Sequence, residues 1–139
     1  MPHFSLSCML LFICLYACFA DAQLDTDCAV LQEFGAQLKV NTEEPNWCCQ
    51  EQAKPYFTCD TAQPPRVTHI KISRKQLQGT LPENIGELTE LVELDVRYNQ
   101  LQGSIPKSVA ELTLLKTLVL YSNQFGNILF MCAHVTPTL

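Results

Sequence analysis

A repeat with a period of 24 residues constrains the fold of this chain more than any other feature of its sequence. Three stretches, which begin at Val67, Leu91 and Leu115, place equivalent residues 24 positions apart. The shared apolar columns are Ile70, Leu94 and Leu118; Ile72, Val96 and Leu120; and Leu77, Leu101 and Phe125. Periods of about 20 to 50 residues are typical of proteins that stack similar units along one axis. The sequence therefore predicts a solenoid.

Each copy of the repeat begins with the pattern of a short strand. In the second copy, Leu94 and Val96 alternate with charged residues, which is the period of two expected for a strand that buries one face. Asn99 follows, and we expect its amide to bond backbone groups of the turn and of the next coil. Gly103 permits a backbone angle that other residues resist, and Pro106 fixes the following turn. Because each coil has an apolar side that it cannot bury alone, the coils must stack.

The second copy resembles the plant-type leucine-rich repeat, whose pattern is LxxLxLxxNxLxGxIPxxIGxL. The matching residues are Leu91, Leu94, Val96, Asn99, Leu101, Gly103, Ile105, Pro106, Val109 and Leu112. The first copy also matches, with Leu81 and Pro82 for the Ile-Pro pair, but Lys75 stands where the pattern has Asn. The resemblance covers roughly residues 27 to 125. It implies an α/β solenoid, a right-handed superhelix with short parallel strands, as in receptor-like kinases, receptor-like proteins and polygalacturonase-inhibiting proteins.

Residues 27–41 predict an amphipathic helix ahead of the repeats. Val30, Leu31, Phe34 and Leu38 fall on one face at helical spacing. Trp47 follows, and we expect it to pack in a core; an exposed ligand anchor is the alternative. The order of helix, Trp, paired cysteines and strand resembles the N-terminal cap of the same family. The resemblance implies that residues 23–66 form a cap that covers the apolar end of the first coil.

Four cysteines, Cys28, Cys48, Cys49 and Cys59, cluster in the region of the predicted cap. In a secreted chain such a cluster indicates two disulfides. A zinc site is the alternative, but the sequence has no CxxC pair, so the ligand spacing is wrong and we expect no metal. The residues alone leave three pairings open, although adjacency disfavours a bond between Cys48 and Cys49. The family resemblance implies the pairs Cys28–Cys48 and Cys49–Cys59.

An uncharged apolar run from Ser5 to Ala20 predicts a secretory signal peptide over residues 1–22. Small residues place its cleavage site after Ala20 or Ala22. An uncleaved anchor helix is the alternative, but the run is shorter than the roughly 20 apolar residues that a membrane span needs. No later segment of the sequence is long and apolar enough to span a bilayer. We therefore expect a secreted mature chain, located at the cell surface or in the cell wall.

The third copy of the repeat diverges after Phe125. Residues 115–126 form a partial repeat after the copies at 67–90 and 91–114 (together 67–126), and a divergent tail follows at 127–139. Cys132, in the tail, has no obvious partner within the chain. The tail is consistent with a fragment or alternative end of a longer repeat protein. It is also consistent with a self-capping segment, or with a dimer contact through Cys132.

Composition and motifs exclude several classes of function. The formal net charge is -5 and the sequence has no basic cluster, so the electrostatic signature of a nucleic-acid binder is missing. His69 and His134 lie far apart in the repeat order, and no nucleophile elbow surrounds Ser73 or Ser104. The sequence also lacks a glycine-rich phosphate loop. We therefore expect neither catalysis nor a cofactor.

The outward strand positions remain as candidates for function. Stacked coils would bring them into one concave surface of mixed charge, on which Tyr and Arg are typical interface residues. They are His69, Lys71, Ser73 and Arg74; Glu93, Asp95, Arg97 and Tyr98; and Thr117, Val119, Tyr121 and Ser122. We predict a secreted module that recognises an extracellular protein, peptide or glycan in signalling or defence. The alternatives are an inhibitor of a secreted cell-wall hydrolase and a truncated fragment of a receptor-like kinase or receptor-like protein ectodomain.

Overall fold

The computed structural model describes residues 27–126. The predicted signal peptide (1–22) and the divergent tail (127–139), including Cys132, lie outside the described residues. Within the described part, a disulfide-bonded N-terminal segment (27–66) precedes three stacked coils that begin at residues 67, 91 and 115. The three coils are the three copies of the sequence repeat.

Parallel strands stack the coils in the register of the repeat. The described residues form six strands: β1 (Phe57–Cys59), β2 (Val67–Lys71), β3 (Glu93–Asp95), β4 (Gln102–Gly103), β5 (Thr117–Val119) and β6 (Gln124–Phe125). Four of them form one sheet in the order β1-β2-β3-β5. In the parallel part of this sheet, Ile70 lies opposite Leu94, and Leu94 lies opposite Leu118. Residues 24 positions apart are therefore neighbours in space.

The apolar columns of the repeat fill the interior between the coils. Ile70, Ile72, Leu94 and Val96 each have 0% exposure. Leu118, in the third coil, is only partly buried, because this coil has a described coil on one side alone. The gradient follows from stacking, since each coil completes the core of its neighbour.

Strand β1 pairs with the first coil in a way that the repeat does not predict. It runs antiparallel to β2, with Phe57 opposite Ile70 and Thr58 opposite His69. The Phe57 side chain is 1% exposed and extends the apolar column of the coils into the N-terminal segment. The segment thus supplies both backbone and side-chain partners to the edge of β2 that would otherwise be open.

The far side of the coils returns through short 3₁₀ helices, Ile85–Glu87 in the first coil and Lys107–Glu111 in the second. Gly103 starts the return of the second coil with a φ of 78°, in the left-handed region that glycine adopts without strain. A Cβ atom at this position would also approach Cγ2 of Thr80 to 2.9 Å. The predicted role of Gly103 in the turn is confirmed.

Asn99 joins the second coil to the first. It is 8% exposed, and its Nδ2 donates to the carbonyl oxygens of Ile72 (2.6 Å) and Val96 (2.9 Å). Its Oδ1 accepts from the backbone N–H groups of Lys75 (3.0 Å) and Leu77 (3.2 Å). The predicted bonds to the turn are confirmed, but the prediction that the amide bonds the next coil is wrong. The bonds between coils reach back to the preceding coil.

Asn123 repeats this arrangement one coil later. Its Nδ2 donates to Val96 O at 2.8 Å, and its Oδ1 accepts from Leu101 N at 3.1 Å, both in the preceding coil. Each of these amides bonds backbone groups of the preceding coil. The first coil has no preceding repeat, so an Asn there would lack these bonding partners. This explains why Lys75 can replace Asn in the first copy.

The N-terminal segment has its own buried cluster. Helix α1 (Gln32–Gln37) follows a further helical stretch at 27–30, and Leu31 and Phe34 are at most 1% exposed, as their spacing predicted. Trp47 is 2% exposed, and its ring lies edge-on to Phe57 with a centroid distance of 5.6 Å. The predicted packing of Trp47 in a core is confirmed.

Two disulfides tie the N-terminal segment together. Cys28 bonds Cys48 and Cys49 bonds Cys59, with Cα atoms 5.4 and 5.6 Å apart. These are the pairs that the family resemblance implied. The first bond holds the helical region against the 3₁₀ helix at Trp47–Cys49, and the second holds that helix against β1. The disulfides therefore tie β1 covalently to the rest of the N-terminal segment, while backbone pairing with β2 holds it beside the first coil.

Candidate functional site

The stacked coils align the twelve predicted positions, which we call the strand face. The sheet arranges them as four rows of three: His69, Glu93 and Thr117; Lys71, Asp95 and Val119; Ser73, Arg97 and Tyr121; and Arg74, Tyr98 and Ser122. The first two rows belong to the strands themselves, and backbone bonds between Arg74 and Arg97 and between Tyr98 and Tyr121 continue the stacking into the turns. Residues that are distant in sequence therefore meet on one side of the molecule.

The charged side chains of the first two rows of the strand face are paired with neighbouring residues. Lys71 Nζ lies 2.8 Å from Glu93 Oε2, so the charges of these two strands compensate each other. His69 is half-buried, and its Nδ1 is 2.9 Å from the hydroxyl oxygen of Thr68. Such local pairs leave little unmatched charge in this part of the surface.

Asp95 departs from the expectation that it is open to a partner. It is only 8% exposed, and the side chain of Arg97 packs against its carboxylate. Its Oδ1 accepts from Arg97 N at 3.1 Å, and its Oδ2 lies 3.3 Å from Arg97 Nε. Asp95 therefore acts as a support that orients Arg97, which itself stays half-exposed.

The strongest cluster of the strand face lies at the ends of the strands. Arg97 Nη1 donates to the hydroxyl oxygen of Tyr121 at 3.1 Å. The rings of Tyr98 and Tyr121 meet edge to face at 5.2 Å, and both side chains are exposed, at 42% and 50%. The hydrogen bond with Tyr121 and the charge of Asp95 raise the pKa of Arg97 above its usual value. These contacts hold two exposed rings and a cation in fixed positions.

One row of the strand face adopts a left-handed backbone. Arg74, Tyr98 and Ser122 have φ angles of 56°, 55° and 56°. This conformation suits Gly or Asn and is disfavoured for other side chains. Arg74 and Tyr98 therefore occupy positions where the backbone conformation disfavours their residue types.

Arg74 extends this cluster, together with Lys75 and Tyr56, which the sequence analysis did not place in the site. The guanidinium of Arg74 lies over the ring of Tyr98, 4.6 Å from its centroid. Next to Arg74, Lys75 places its ammonium 5.2 Å from the centroid of Tyr56 in the N-terminal segment. The departure of Lys75 from the repeat pattern was the available signal, but Tyr56 lies in a stretch without any periodic pattern.

Other kinds of site are not found in the described part of the chain. Among residues 27–126, no group of three or more His, Cys, Asp or Glu could hold a metal ion. The same residues contain no helix with the length and apolar character that crossing a membrane requires. Two open pockets lie in the N-terminal segment, one beside Trp47 and one beside Cys49, and none of their lining residues belongs to the strand face.

Comparisons with known proteins show which family and which solved structures this chain resembles. A family model described as Leucine Rich Repeat matches residues 90–112, which span the second copy of the repeat. No curated protein matches the chain. Among solved structures, 31 chains match.

Two of these structures are ectodomains of receptor kinases from Arabidopsis thaliana. The leucine-rich-repeat ectodomain of the receptor kinase SOBIR1 is 28% identical with a TM-score of 0.56, and the match covers 73% of this chain and 55% of that one. The ectodomain of the plant membrane receptor kinase GASSHO1/SCHENGEN3, in complex with CASPARIAN STRIP INTEGRITY FACTOR 2, is 28% identical with a TM-score of 0.58. That match covers 76% of this chain and 12% of the ectodomain. The chain thus spans only part of the length of both ectodomains.

Proposed function

We propose that this chain, a plant-type leucine-rich-repeat protein with a solenoid fold, is an extracellular module that binds another protein or peptide through its strand face. Its role is recognition in signalling or defence rather than catalysis. The observation that carries this proposal is the cluster of Arg97, Tyr98 and Tyr121, whose exposed side chains are held in place by one another. Pre-ordered Tyr and Arg side chains lose little entropy when a partner binds, and they are typical of interface hot spots.

The N-terminal segment supports this role as a cap of the solenoid. We propose that residues 23–66 close a right-handed superhelix at its first coil and that residues 67–126 carry the binding surface. Phe57 and Trp47 cover the apolar end of the coil, and β1 pairs with β2. Two disulfides hold these elements, which suits a chain outside the reducing cytosol. The predicted signal peptide at 1–22 is in agreement with secretion to the cell surface or cell wall.

A second candidate is a role within a larger receptor ectodomain. Both solved relatives described above are ectodomains of receptor kinases, and one of them was determined in complex with CASPARIAN STRIP INTEGRITY FACTOR 2. In this role the same strand face would contribute to a longer binding surface built from further coils. The two candidates share the prediction that the strand face makes the contact.

A glycan shield tests which side of the solenoid binds. The sequence contains no N-x-Ser/Thr site, but Lys71→Asn creates Asn-Ile-Ser on the strand face, and Glu87→Asn creates Asn-Leu-Thr on the opposite, exposed side. Both variants would be secreted from plant cells, and mass spectrometry would confirm the added glycan. Lys71→Gln, which adds no glycan, separates the effect of the sugar from the loss of the lysine.

Binding would be measured against secreted plant peptides, receptor kinase ectodomains and cell-wall hydrolases. We expect the glycan at position 71 to abolish the binding that the parent protein shows, and the glycan at position 87 to leave it unchanged. Binding that only the glycan at position 87 blocks would overturn the proposal. Inhibition of a hydrolase by the parent protein would instead support the inhibitor alternative.

A further inference from the structure

Two neighbouring cations in the turn after β2, Arg74 of the strand face and Lys75 next to it, differ from the charged residues that form ion pairs. Four ion pairs join the charged side chains of the described residues, and they engage Lys54, Arg66, Lys71 and Arg97. Arg74 and Lys75 take part in none of these pairs, and both are exposed. Within residues 27–126, their charges therefore lack a carboxylate partner.

These two cations belong to a row of aromatic rings and positive charges in contact with one another. We call it the cation–aromatic row and define it as Tyr56, Lys75, Arg74, Tyr98, Tyr121 and Arg97. Lys75 lies over Tyr56 and Arg74 over Tyr98, while Tyr98 contacts Tyr121, which accepts a hydrogen bond from Arg97. The row crosses the strands from β1 to β5, which is about 15 Å at the usual spacing between strands.

The backbone in this row favours different residues from those present. Arg74 and Tyr98 have φ angles of 56° and 55°, where Asn or Gly causes less strain. Arg74 and Tyr98 therefore stand at positions where Gly or Asn would suit the local backbone better. Side chains in a strained backbone conformation commonly occur at functional sites.

We propose that the cation–aromatic row binds an acidic segment of an extracellular peptide, whose carboxylates pair with Arg74 and Lys75. The inference rests on the proposed function, because it names the chemistry of the partner that the strand face receives. A guanidinium forms charge-assisted, two-pronged bonds with a carboxylate, and an ammonium adds a point charge. A row of about 15 Å matches about five residues of an extended peptide.

The charge of the whole chain makes this binding selective. The formal net charge is -5, so the protein as a whole repels polyanions, and attraction must come from the local cations. A peptide also fits the row better than an acidic sugar does. Sugar rings commonly stack on open aromatic faces, but Arg74 covers a face of Tyr98 and Lys75 covers a face of Tyr56.

The test uses three probes with the secreted full chain: a hexaglutamate peptide, a hexalysine peptide and a hexamer of galacturonate. Affinities would be measured by calorimetry at low and at physiological salt. We expect hexaglutamate to bind, and galacturonate to bind more weakly than hexaglutamate. Hexalysine, which the net negative charge attracts without specificity, should lose no affinity when Arg74 or Lys75 is replaced. The affinity for hexaglutamate should fall as salt is raised, because the exposed charges are screened.

Three substitutions identify the cations responsible. Arg74→Asn and Lys75→Asn should each weaken hexaglutamate binding about tenfold, the loss expected for one charge-assisted bond. Lys39→Asn is the matched control, because Lys39 is also an exposed cation with a left-handed φ of 58°, but it lies in the N-terminal segment outside the row. It should leave hexaglutamate binding unchanged.

Folding does not confound this comparison. Arg74→Asn relieves a left-handed backbone and should melt at the same temperature as the parent or higher. The inference would be overturned if the parent, Arg74→Asn and Lys75→Asn bound hexaglutamate with equal affinity. It would also be overturned if galacturonate bound more tightly than hexaglutamate, or if Lys39→Asn lost as much affinity for hexaglutamate as Arg74→Asn and Lys75→Asn. If the glycan at position 71 blocks natural partners while hexaglutamate fails these tests, the proposed function stands and only the acidic peptide is rejected.

Discussion

Arg66 holds Asp27 across 39 positions of the chain. Its Nε donates to Asp27 Oδ2 at 3.0 Å, and its Nη2 donates to Asp27 Oδ1 at 2.7 Å. Asp27 is 2% exposed, and its Oδ2 also accepts from the backbone N–H of Val67 at 2.9 Å. This carboxylate therefore joins the start of the N-terminal helical region to the first residue of β2.

Removal of Arg66 should cost more than removal of the whole pair. Arg66→Ala leaves the Asp27 carboxylate buried without its cation, and we expect the free energy of unfolding to fall by about 3 kcal/mol. Asp27→Asn in the Arg66→Ala background removes the uncompensated charge and should recover part of this loss. Because the hydrogen bond with Asp27 raises the already high pKa of Arg66, the guanidinium stays charged near neutral pH. Urea unfolding of the single and double variants measures the coupling, and additive losses would contradict it.

Gly35 should resist a substitution that normally stabilises helices. Ala is the better helix former by about 1 kcal/mol, but a Cβ at position 35 would collide with the ring of Trp47 and with Cγ2 of Thr42. We therefore expect Gly35→Ala to lower stability by about 1–2 kcal/mol, as overpacking of a core does. Ala36→Gly, at an exposed position of the same helix, should lower it by about 1 kcal/mol through propensity alone. A higher urea midpoint for Gly35→Ala would refute the packing argument.

The stacking of the coils was predictable from the sequence because the coils repeat. The 24-residue period fixes the register of β2, β3 and β5, because stacking coils must place Ile70, Leu94 and Leu118 side by side. Strand β1 and the Asp27–Arg66 pair were not predicted. Each occurs once and depends on how distant segments meet in three dimensions, and neither leaves a periodic trace in the sequence.

The location of the strand face could be predicted from the sequence, but the contacts among its charged side chains could not. Alternation along the strands located the strand face, since outward positions follow from the period of two. It did not show that Asp95 is buried under Arg97, because that depends on how a long side chain folds back. It also did not show that Lys75 lies over Tyr56, which requires knowing where the N-terminal segment packs.

Replacement of Asn99 should destabilise the stack of coils. Asn99→Ala leaves buried backbone groups of two coils without partners, and we expect a loss of about 3 kcal/mol in unfolding free energy. Asn123→Ala should cost less, because Asn123 is half-exposed and water can replace its bonds. Chemical denaturation of both variants gives the comparison. Equal losses would mean that burial does not govern the cost.

The two disulfides should contribute unequally to stability. Cys59→Ser opens the Cys49–Cys59 bond and should lower the free energy of unfolding by about 2–5 kcal/mol, the range for small secreted domains. Replacing Cys28 and Cys48 together by Ala should cost more, because that bond closes 20 positions rather than 10 and both cysteines are buried. Thermal melts of the two variants test the order. Free thiols at Cys28, Cys48, Cys49 and Cys59 in the native protein would contradict both expectations.

The last prediction separates the strand face from the opposite side of the coils by truncation. Arg97 and Tyr98 lie in the central coil, and hot spots gather near the middle of an interface, where water is excluded. We expect Arg97→Ala and Tyr98→Ala each to weaken binding of a cognate partner roughly thirtyfold, a loss typical of hot-spot residues. Glu87→Ala and Lys107→Ala, on the exposed return side, should change the affinity little.

The truncations are informative only in a folded protein, because three coils have little stability to spare. Thermal melts must first show that each variant unfolds like the parent. Arg97→Ala frees the Asp95 carboxylate and the Tyr121 hydroxyl, so its affinity is compared with that of Tyr121→Phe, which removes the same hydrogen bond but keeps the cation. If Arg97 binds the partner directly, Tyr121→Phe should lose far less affinity than Arg97→Ala. Equal losses of affinity in Arg97→Ala and Tyr121→Phe would mean that Arg97 acts only by positioning Tyr121. A loss of affinity confined to the Glu87 and Lys107 variants would place the binding surface on the opposite side of the coils.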